Sequence, residues 1–422
     1  MTRLTARADR RFIRPNQRSH RFVLVEVTAP GATQRRDRAP VNLAFVLDRS
    51  GSMSGTKLQL AKQAVEEALG RLDAHDRFSI VAYDDVVETV VDSTPASAEA
   101  RRNAMERLAH VDARGSTNLG DGWFRGCEQV AGHLTAEGVD RVLLLTDGLA
   151  NVGLTDPGAL ATHAAELRAR GVATSTFGVG NDFDEGLLQA MADAGGGHFY
   201  YIADAAQIRD HVASEVGEAL EVVAREVALE VLAGDGVAVE AISPHPLTGR
   251  SSRSVIALGD LVADQTLDVV LRLTFPYGQL SRDTGVIVGI RDGSGAFVGA
   301  GVQDARVQWT WADDRTNDAQ PRDPDVDRAV ARQFAARARQ EAVIRNRAGD
   351  FSHASRALQS TAERIRRYAA RDPLLHELVS ALEAEGQQFA APVSAPLLKQ
   401  THFASANMAR SRDVQGRSLK SR

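Results

Sequence analysis

Oxygen-bearing side chains gather directly after two apolar runs of the sequence. Asp48, Ser50 and Ser52 follow the run VNLAFVL, and Asp147 follows the run RVLLLT. Thr117 lies between them in chain order, in the polar segment GSTNLGDG. Two carboxylates brought close together repel each other, and one of them takes a proton unless a cation balances their charge. Mg²⁺ prefers octahedral oxygen ligands, so these five residues form a candidate metal site.

Two buried strands must position these residues. The segments 41–47 and 141–146 are almost continuously apolar, as is typical of parallel strands that are covered by helices on both faces. Strand and helix patterns alternate from residue 41 to about residue 222, which predicts an α/β fold with a mainly parallel central sheet. Ligands of such open sheets bind at the carboxyl ends of the strands, where the strand order reverses. The candidate ligands follow the carboxyl ends of both segments.

Helix capping is the plain structural explanation of the hydroxyl groups. Ser50, Ser52 and Thr117 precede predicted helices, and serine and threonine are favoured at helix N-termini. Capping accounts for one hydroxyl per helix, however, and not for the two carboxylates beside them. We therefore interpret the cluster as a set of metal ligands.

At these residues the sequence resembles the von Willebrand factor type A family. The metal-ion-dependent adhesion site of that family has the form Asp-x-Ser-x-Ser, followed by a Thr and then by an Asp at a later strand end. The matching residues here are Asp48, Ser50, Ser52, Thr117 and Asp147. The resemblance covers roughly residues 41–222 and implies a Rossmann-like sheet, bound Mg²⁺ or Mn²⁺, and a protein partner that supplies an Asp or Glu to the metal. The flanking regions resemble those of bacterial cytosolic members, which often accompany AAA-type ATPases.

After residue 223 the pattern changes to short strands separated by Gly-Asp, Gly-Ser and Pro, as expected of an antiparallel β-sandwich. The alternating segment RFVLVEVT fits this sandwich and not the α/β region, so the α/β region is predicted to be an insertion. The predicted organisation is an N-terminal arm that contributes a strand to the β-sandwich (1–40), the von Willebrand factor type A domain (41–222), the β-sandwich (223–312), C-terminal helices (323–390) and a basic tail (391–422).

Two enzymatic interpretations compete with metal-dependent binding. The segment RSGSMSGTK opens a helix, but Gly51 and Gly55 are one residue too close for a phosphate-binding loop. Lys57 is then expected to be a solvated residue of the first helical turn. Mg²⁺-dependent phosphoryl transfer to Asp48 uses the same sheet edge, yet Ser50 stands where such enzymes carry a second carboxylate. We expect no enzymatic activity, and a scaffold or adaptor with a purely structural metal stays open as an alternative.

Composition limits the classes of partner. The formal net charge of -5 argues against a surface built to bind nucleic acid. The single cysteine, Cys127, excludes an internal disulfide and suits a reducing compartment. No apolar run approaches the roughly 20 residues that span a bilayer, and the first residues lack the apolar core of a secretory signal. We expect a cytoplasmic protein without a membrane span. The resemblance implies an AAA-type ATPase as one candidate partner, and a second copy of the chain is another.

Overall fold

The structure is a computed structural model that describes residues 2–32, 38–250 and 252–421. The chain divides into two compact units. One unit combines the chain up to Ala32 with Val223–Val414 and the residues from Ser418 onward, and the other combines the segment up to Val222 with the short stretch Gln415–Arg417. In chain order, the second unit is therefore an insertion within the first.

The N-terminal segment forms strands β1 (Arg3–Ala8), β2 (Phe12–Ile13) and β3 (Ser19–Thr28). The sequence pattern predicts only a strand at residues 21–28, which lies within β3. β1 is an edge strand, and Leu4 is its one buried residue. An edge strand with one buried side chain has little apolar pattern, which explains why the sequence does not reveal it.

The inserted unit alternates strands and helices, as the sequence pattern predicts. Its elements are β4 (Val41–Asp48), α1 (Thr56–Arg71), β5 (Arg77–Tyr83), β6 (Val87–Pro95), α2 (Ala98–Ala109), α3 (Leu119–Ala131), β7 (Val139–Thr146), α4 (Pro157–Ala169), β8 (Ala173–Val179), α5 (Glu185–Gly195), β9 (Gly196–Ile202) and α6 (Ile208–Leu220). Every residue of β4 and of β7 is buried, in agreement with their apolar sequences.

The strands of this unit form one sheet in the order β6-β5-β4-β7-β8-β9. All of them run parallel except β6, which is antiparallel to β5. The chain adds strands on one side of β4 first and then on the other side, beginning with β7. The strand order therefore reverses between β4 and β7, where open α/β sheets bind ligands. The mixed, mainly parallel sheet confirms the predicted fold class of this region.

The other unit continues with β10 (Val222–Ala233), β11 (Ala238–Ala241), β12 (Leu247–Arg250), β13 (Arg253–Val262), β14 (Thr266–Phe275), β15 (Asp283–Arg291), α7 (Ala296–Gly299), β16 (Ala305–Trp311) and α8 (Asp314–Ala319). Its strands form two sheets, in the orders β1-β3-β14-β11 and β12-β13-β10-β15-β16-β2. Val25 and Val269 from the first sheet share one buried cluster with Leu229, Val288 and Trp309 from the second. The sheets thus pack face to face, and β3 lies between β1 and β14 within this sandwich.

The chain ends in helices α9 (Pro324–Arg347), α10 (Phe351–Arg366), α11 (Pro373–Gln388) and α12 (Ala395–Ala409). Ala354, Leu358, Ala362 and Ile365 line one face of α10 and are fully buried in a cluster with α9 and α11. Among the described residues, no helix combines the length and the apolarity needed to cross a membrane.

Helix α12 lies where the sequence predicts a basic tail, so that prediction is wrong for residues 395–409. Leu398 and Phe403 are buried, and Gln333 Nε2 of α9 donates to the carbonyl oxygen of Ala409 over 2.9 Å. The segment APLLKQTHFASANMA contains enough apolar residues for a buried helix, but the Ser- and Arg-rich residues that follow it make the whole region resemble a tail. Burial against the rest of the unit supplies the stabilisation that a short isolated helix lacks.

Candidate functional site

Asp48 is the last residue of β4, and its side chain is fully buried. Its Oδ1 accepts a hydrogen bond of 2.8 Å from the backbone N–H of Ser50, and its Oδ2 accepts one of 2.6 Å from Thr146 Oγ1. Burial, and to a smaller extent the charge of Asp147, raises the pKa of Asp48, although the hydrogen bonds from Thr146 and Ser50 oppose the rise. The described residues thus hold this carboxylate in place with neutral donors.

A chain of hydroxyl groups extends from Ser50 to the second carboxylate. Ser52 Oγ donates to Asp147 Oδ1 over 2.7 Å, and Ser50 Oγ lies 3.1 Å from Ser52 Oγ. Asp147 directly follows β7 and is buried. The structure therefore brings Asp48, Ser50, Ser52 and Asp147 together at the sheet edge that the sequence predicts.

The loop before α3 brings Thr117 to the same place. Its backbone N–H donates to Asn151 Oδ1 over 3.1 Å, which joins this loop to the segment after β7. Gly148 has no side chain, and a Cβ at that position would lie 3.2 Å from Thr117 Oγ1 and 3.8 Å from Ser52 Oγ. The hydroxyl groups of Thr117 and Ser52 therefore border the same small space beside the backbone of Gly148.

Lys57 is not the solvated residue that the sequence predicts. Its Nζ donates to Asp147 Oδ2 and lies 3.4 Å from the carbonyl oxygen of Ser52. The lysine side chain keeps 31% of its surface exposed, whereas the side chain of Asp147 is fully buried. A buried anion attracts a nearby cation, and the long stem of a lysine allows its ammonium group to reach inward from the first turn of α1.

Sequence reasoning also missed Thr146 and Asn151. Thr146 is a polar residue at the end of a buried apolar strand, immediately before Asp147. A polar residue at such a position could have been recognised as a candidate hydrogen-bond donor to the site. Asn151 holds the backbone of Thr117, but it lies in a loop where no pattern distinguishes it from its neighbours.

The arginine side chains beside Asp48 are directed to other carboxylates. Arg49 places Nη1 2.6 Å from Glu88 Oε2 and Nε 3.4 Å from Asp84 Oδ2. Arg114 Nε donates to Asp84 Oδ2 over 2.7 Å. Although burial opposes it, a backbone N–H and these two guanidinium groups hold the pKa of Asp84 below its usual value. Among the described residues, Asp84 is thus balanced by guanidinium groups, whereas the hydrogen-bond donors of Asp48 are neutral.

The donor set fits a hard divalent cation. Two carboxylates and three hydroxyl groups offer only oxygen atoms, which Mg²⁺ and Mn²⁺ prefer as ligands. The raised pKa of Asp48 shows that burial penalises its negative charge, and a cation would offset that penalty. Gly148 leaves space beside two of the hydroxyl groups. Residues 48–52, 117 and 147 are therefore suited to hold such an ion.

The family model for the von Willebrand factor type A domain matches residues 42–214, a range that includes all five candidate ligands. This part of the chain is a von Willebrand factor type A domain. Domains of this family are generally metal-dependent protein–protein interaction modules.

Two relatives share this domain. The uncharacterized protein YfbK of Escherichia coli is 32% identical over 211 residues, which are 49% of this chain and 36% of that protein. The human inter-alpha-trypsin inhibitor heavy chain H4 is 30% identical over 164 residues, which are 37% of this chain and 18% of that protein. The chain thus spans little more than a third of the first relative and less than a fifth of the second.

One solved structure is similar over almost the whole chain. It is a von Willebrand factor type A protein from Catenulispora acidiphila, with a TM-score of 0.73 and 18% identity, and the match covers 96% of both chains. At this identity the similarity shows the fold alone. It includes the antiparallel sheets and the C-terminal helices around the von Willebrand factor type A domain.

Proposed function

We propose that the protein binds a protein partner through a divalent cation at a metal-ion-dependent adhesion site. In this proposal the five candidate ligands hold Mg²⁺ or Mn²⁺, and an Asp or Glu of the partner completes the coordination. The observation that carries the proposal is the convergence of two buried carboxylates and three hydroxyl groups where the strand order of the sheet reverses.

The residues of the site would have distinct tasks. Thr146 fixes the carboxylate of Asp48, and Asn151 fixes the backbone of Thr117. A bound Mg²⁺ would supply a coordination position that a carboxylate oxygen from outside can fill. Ser52 is exposed, so a partner can approach the site from solvent.

The surface around the site offers apolar contacts to such a partner. Val86 and Leu149 are each 55% exposed, and they follow the carboxyl ends of β5 and β7 at the edge that carries the site. Binding a carboxylate removes it from water, and this desolvation offsets much of the gain from coordination. We therefore expect the partner to present its acidic residue beside apolar side chains.

The same proposal makes this a binding site and not a catalytic one. Ser50 stands two residues after Asp48, and its hydroxyl group is engaged with Ser52, so that position offers no carboxylate for acid–base work. We place the protein in the cytoplasm with the bacterial cytosolic members, because a single buried cysteine suits a reducing compartment.

Calorimetric titration of Mg²⁺ and of Mn²⁺ into the full-length protein tests the metal site. The wild-type protein should bind one ion, and Asp48→Ala should abolish binding because it removes a charged ligand. Asp182→Ala is the matched control, since Asp182 is an exposed carboxylate that follows β8 at the same sheet edge. Equal affinities of the wild type and Asp48→Ala would reject the proposed site.

The partner is sought by affinity capture from native cells in Mg²⁺ and in chelator. An AAA-type ATPase and a second copy of the chain are the candidates that we propose. Capture should require Mg²⁺ and should fail with Asp48→Ala. Undiminished capture in chelator would instead favour a scaffold whose metal is purely structural.

A further inference from the structure

Lys57 is the cation that the chain itself directs at the metal site. Its ammonium group donates to Asp147 Oδ2, while Ser52 Oγ donates to Asp147 Oδ1 over 2.7 Å. Both oxygens of Asp147 are therefore engaged by donors of the chain. The lysine side chain remains 31% exposed, so solvent reaches this ion pair from the lysine side.

The two carboxylates of the site are treated differently. Asp48 accepts hydrogen bonds from a backbone N–H and from the hydroxyl group of Thr146, both of which are neutral. Asp147 instead forms an ion pair with the positively charged ammonium group of Lys57. With both carboxylates ionised, the lysine leaves the group with one net negative charge instead of two.

That difference changes the charge of the loaded site. Two carboxylates alone would neutralise a divalent cation. With Lys57 present, the same group and cation together carry one net positive charge. The positive loaded site attracts a carboxylate from a partner. The positive charge of Lys57 also repels the divalent cation and weakens its binding.

We propose that Lys57 tunes the adhesion site by weakening its hold on the divalent cation and by keeping the loaded site positive, so that a partner's carboxylate is needed to balance it. This proposal rests on the proposed function and deepens it. It assigns to a residue outside the ligand set the control of both metal affinity and preference for an acidic partner.

Calorimetric titration of Mg²⁺ into full-length Lys57→Met tests the first part. The variant should bind Mg²⁺ about tenfold more tightly than the wild type, because a like charge close to the ion has been removed and partial exposure screens only part of its effect. Lys57→Arg keeps the charge and should stay near the wild-type affinity. Lys62→Met removes a lysine from the same helix and serves as the matched charge control, since Lys62 Nζ bonds to the carbonyl oxygen of Ala109 and not to the site.

The direction of the change in Mg²⁺ affinity distinguishes an electrostatic role of Lys57 from a role in which it only positions Asp147. If Lys57 only holds Asp147 in position, Lys57→Met will bind Mg²⁺ more weakly or equally, and the proposal is overturned. Lys57→Gln repeats the test should the Met variant unfold, as judged by circular dichroism. If neither the wild type nor the variants bind Mg²⁺, the proposed function fails and this inference fails with it. Equal affinities in proteins that do bind Mg²⁺ reject the tuning role alone.

Acetate titrated into the Mg²⁺-saturated proteins tests the second part. The wild type should bind acetate severalfold more tightly than Lys57→Met, because its loaded site keeps a net positive charge. Compared with Lys57→Arg, Lys57→Met should therefore bind Mg²⁺ more tightly and acetate more weakly. Equal acetate affinities would overturn the claim that Lys57 favours an acidic partner.

Discussion

The inserted unit buries Asp48 and Glu215 at opposite edges of the same sheet, and the neighbours of these two carboxylates differ in charge. At the carboxyl edge, Asp48 accepts hydrogen bonds from two neutral groups, the backbone N–H of Ser50 and the hydroxyl group of Thr146. Toward the amino-terminal edge, Glu215 of α6 contacts Arg141 and Ser175 through Oε1, each at 2.5 Å, and Tyr200 through Oε2 at 2.7 Å. His198 Nδ1 lies 3.1 Å from the same Oε2.

The pKa values of Asp48 and Glu215 are shifted in opposite directions. Burial alone would raise the pKa of Glu215, but the charges of Arg141 and His198 outweigh it and hold that pKa well below 4.5. The pKa of Asp48 is raised instead, because burial outweighs the hydrogen bonds from Thr146 and Ser50 and the charge of Asp147 adds to the rise. A buried carboxylate is therefore not in itself a functional one. The chain pairs Glu215 with cationic side chains, whereas the hydrogen-bond donors of Asp48 are neutral.

His198, Glu215 and Glu218 offer ligand atoms within 4.8 Å of one another, which by distance alone would suit a metal. Arg141 already supplies the cation to Glu215, with a side chain that is 3% exposed. A metal ion there would face that guanidinium group at close range. The comparison thus favours a structural role for this cluster and a ligand-binding role for the cluster around Asp48.

The largest expected effect is that of removing the structural carboxylate. Glu215→Ala should lower the free energy of unfolding by about 3–5 kcal/mol, because it leaves the buried guanidinium of Arg141 without its partner. Urea unfolding of the full-length protein measures the change. Glu166→Ala, which removes an exposed glutamate from α4, should change stability by no more than about 0.5 kcal/mol. If Glu215→Ala lowers the free energy of unfolding by less than about 1 kcal/mol, the structural role of Glu215 is contradicted.

Acid should act through the same residue. The folded state keeps Glu215 ionised at pH values where the unfolded chain has protonated it, so its contribution to stability is complete above about pH 4.5 and is lost as the pH falls below that value. Glu215→Gln lacks this contribution, and its free energy of unfolding should fall less steeply below about pH 4.5 than that of the wild type. Parallel curves from urea unfolding across this range would contradict the assignment.

A smaller effect is expected from single ligands at the carboxyl edge. Thr117→Ala should weaken Mg²⁺ binding about tenfold, which corresponds to about 1.4 kcal/mol, and should leave the fold intact. Thr146→Val removes a hydrogen bond to Asp48 but no proposed ligand, so it should weaken Mg²⁺ binding less. Calorimetric titration compares the two variants. Equal losses would show that Thr117 acts only as Thr146 does, by holding another residue.

The smallest expected effect has the opposite sign from that of Glu215→Ala. In chelator, Asp48→Asn should raise the free energy of unfolding by about 0.5–2 kcal/mol, because it removes a buried charge that the chain does not balance. The amide oxygen can still accept the hydrogen bond from the backbone N–H of Ser50, and the amide nitrogen can donate to Thr146 Oγ1, whose hydroxyl then acts as acceptor. If Asp48→Asn instead destabilises the protein as much as Glu215→Ala does, the negative charge of Asp48 contributes to the stability of the fold as that of Glu215 does, and the comparison is wrong.

Much of the site was predictable because its information is local. Asp48, Ser50 and Ser52 occupy alternate positions directly after a buried strand, and Asp147 follows another. The alternation of strands and helices places both strand ends at one edge of a parallel sheet. Thr117 required the resemblance to a known family, since a threonine before a helix has an ordinary explanation as a cap.

The rest of the site was not predictable from local patterns. Lys57 and Asp147 are 90 residues apart in the chain, and nothing near Lys57 indicates where a flexible side chain will end. Glu215 lies in an amphipathic helix and has the composition of a surface residue, yet it meets Arg141 from a strand 74 residues earlier. Helix α12 was mistaken for a tail because the Ser- and Arg-rich residues that follow it make the whole region resemble one.

The sequence by itself determined the α/β fold of the inserted unit, its position in chain order between strands of the sandwich, and the oxygen-bearing side chains that follow its central strands. These features depend on apolar periodicity and on residues beside strand ends, which are properties of short segments. Only the tertiary structure decided which buried charges are balanced. Lys57 reaches Asp147 and Arg141 reaches Glu215 because packing brings distant segments together. The electrostatic balance of a site is a sum over such neighbours, so the fold had to form before Asp48 could be distinguished from Glu215.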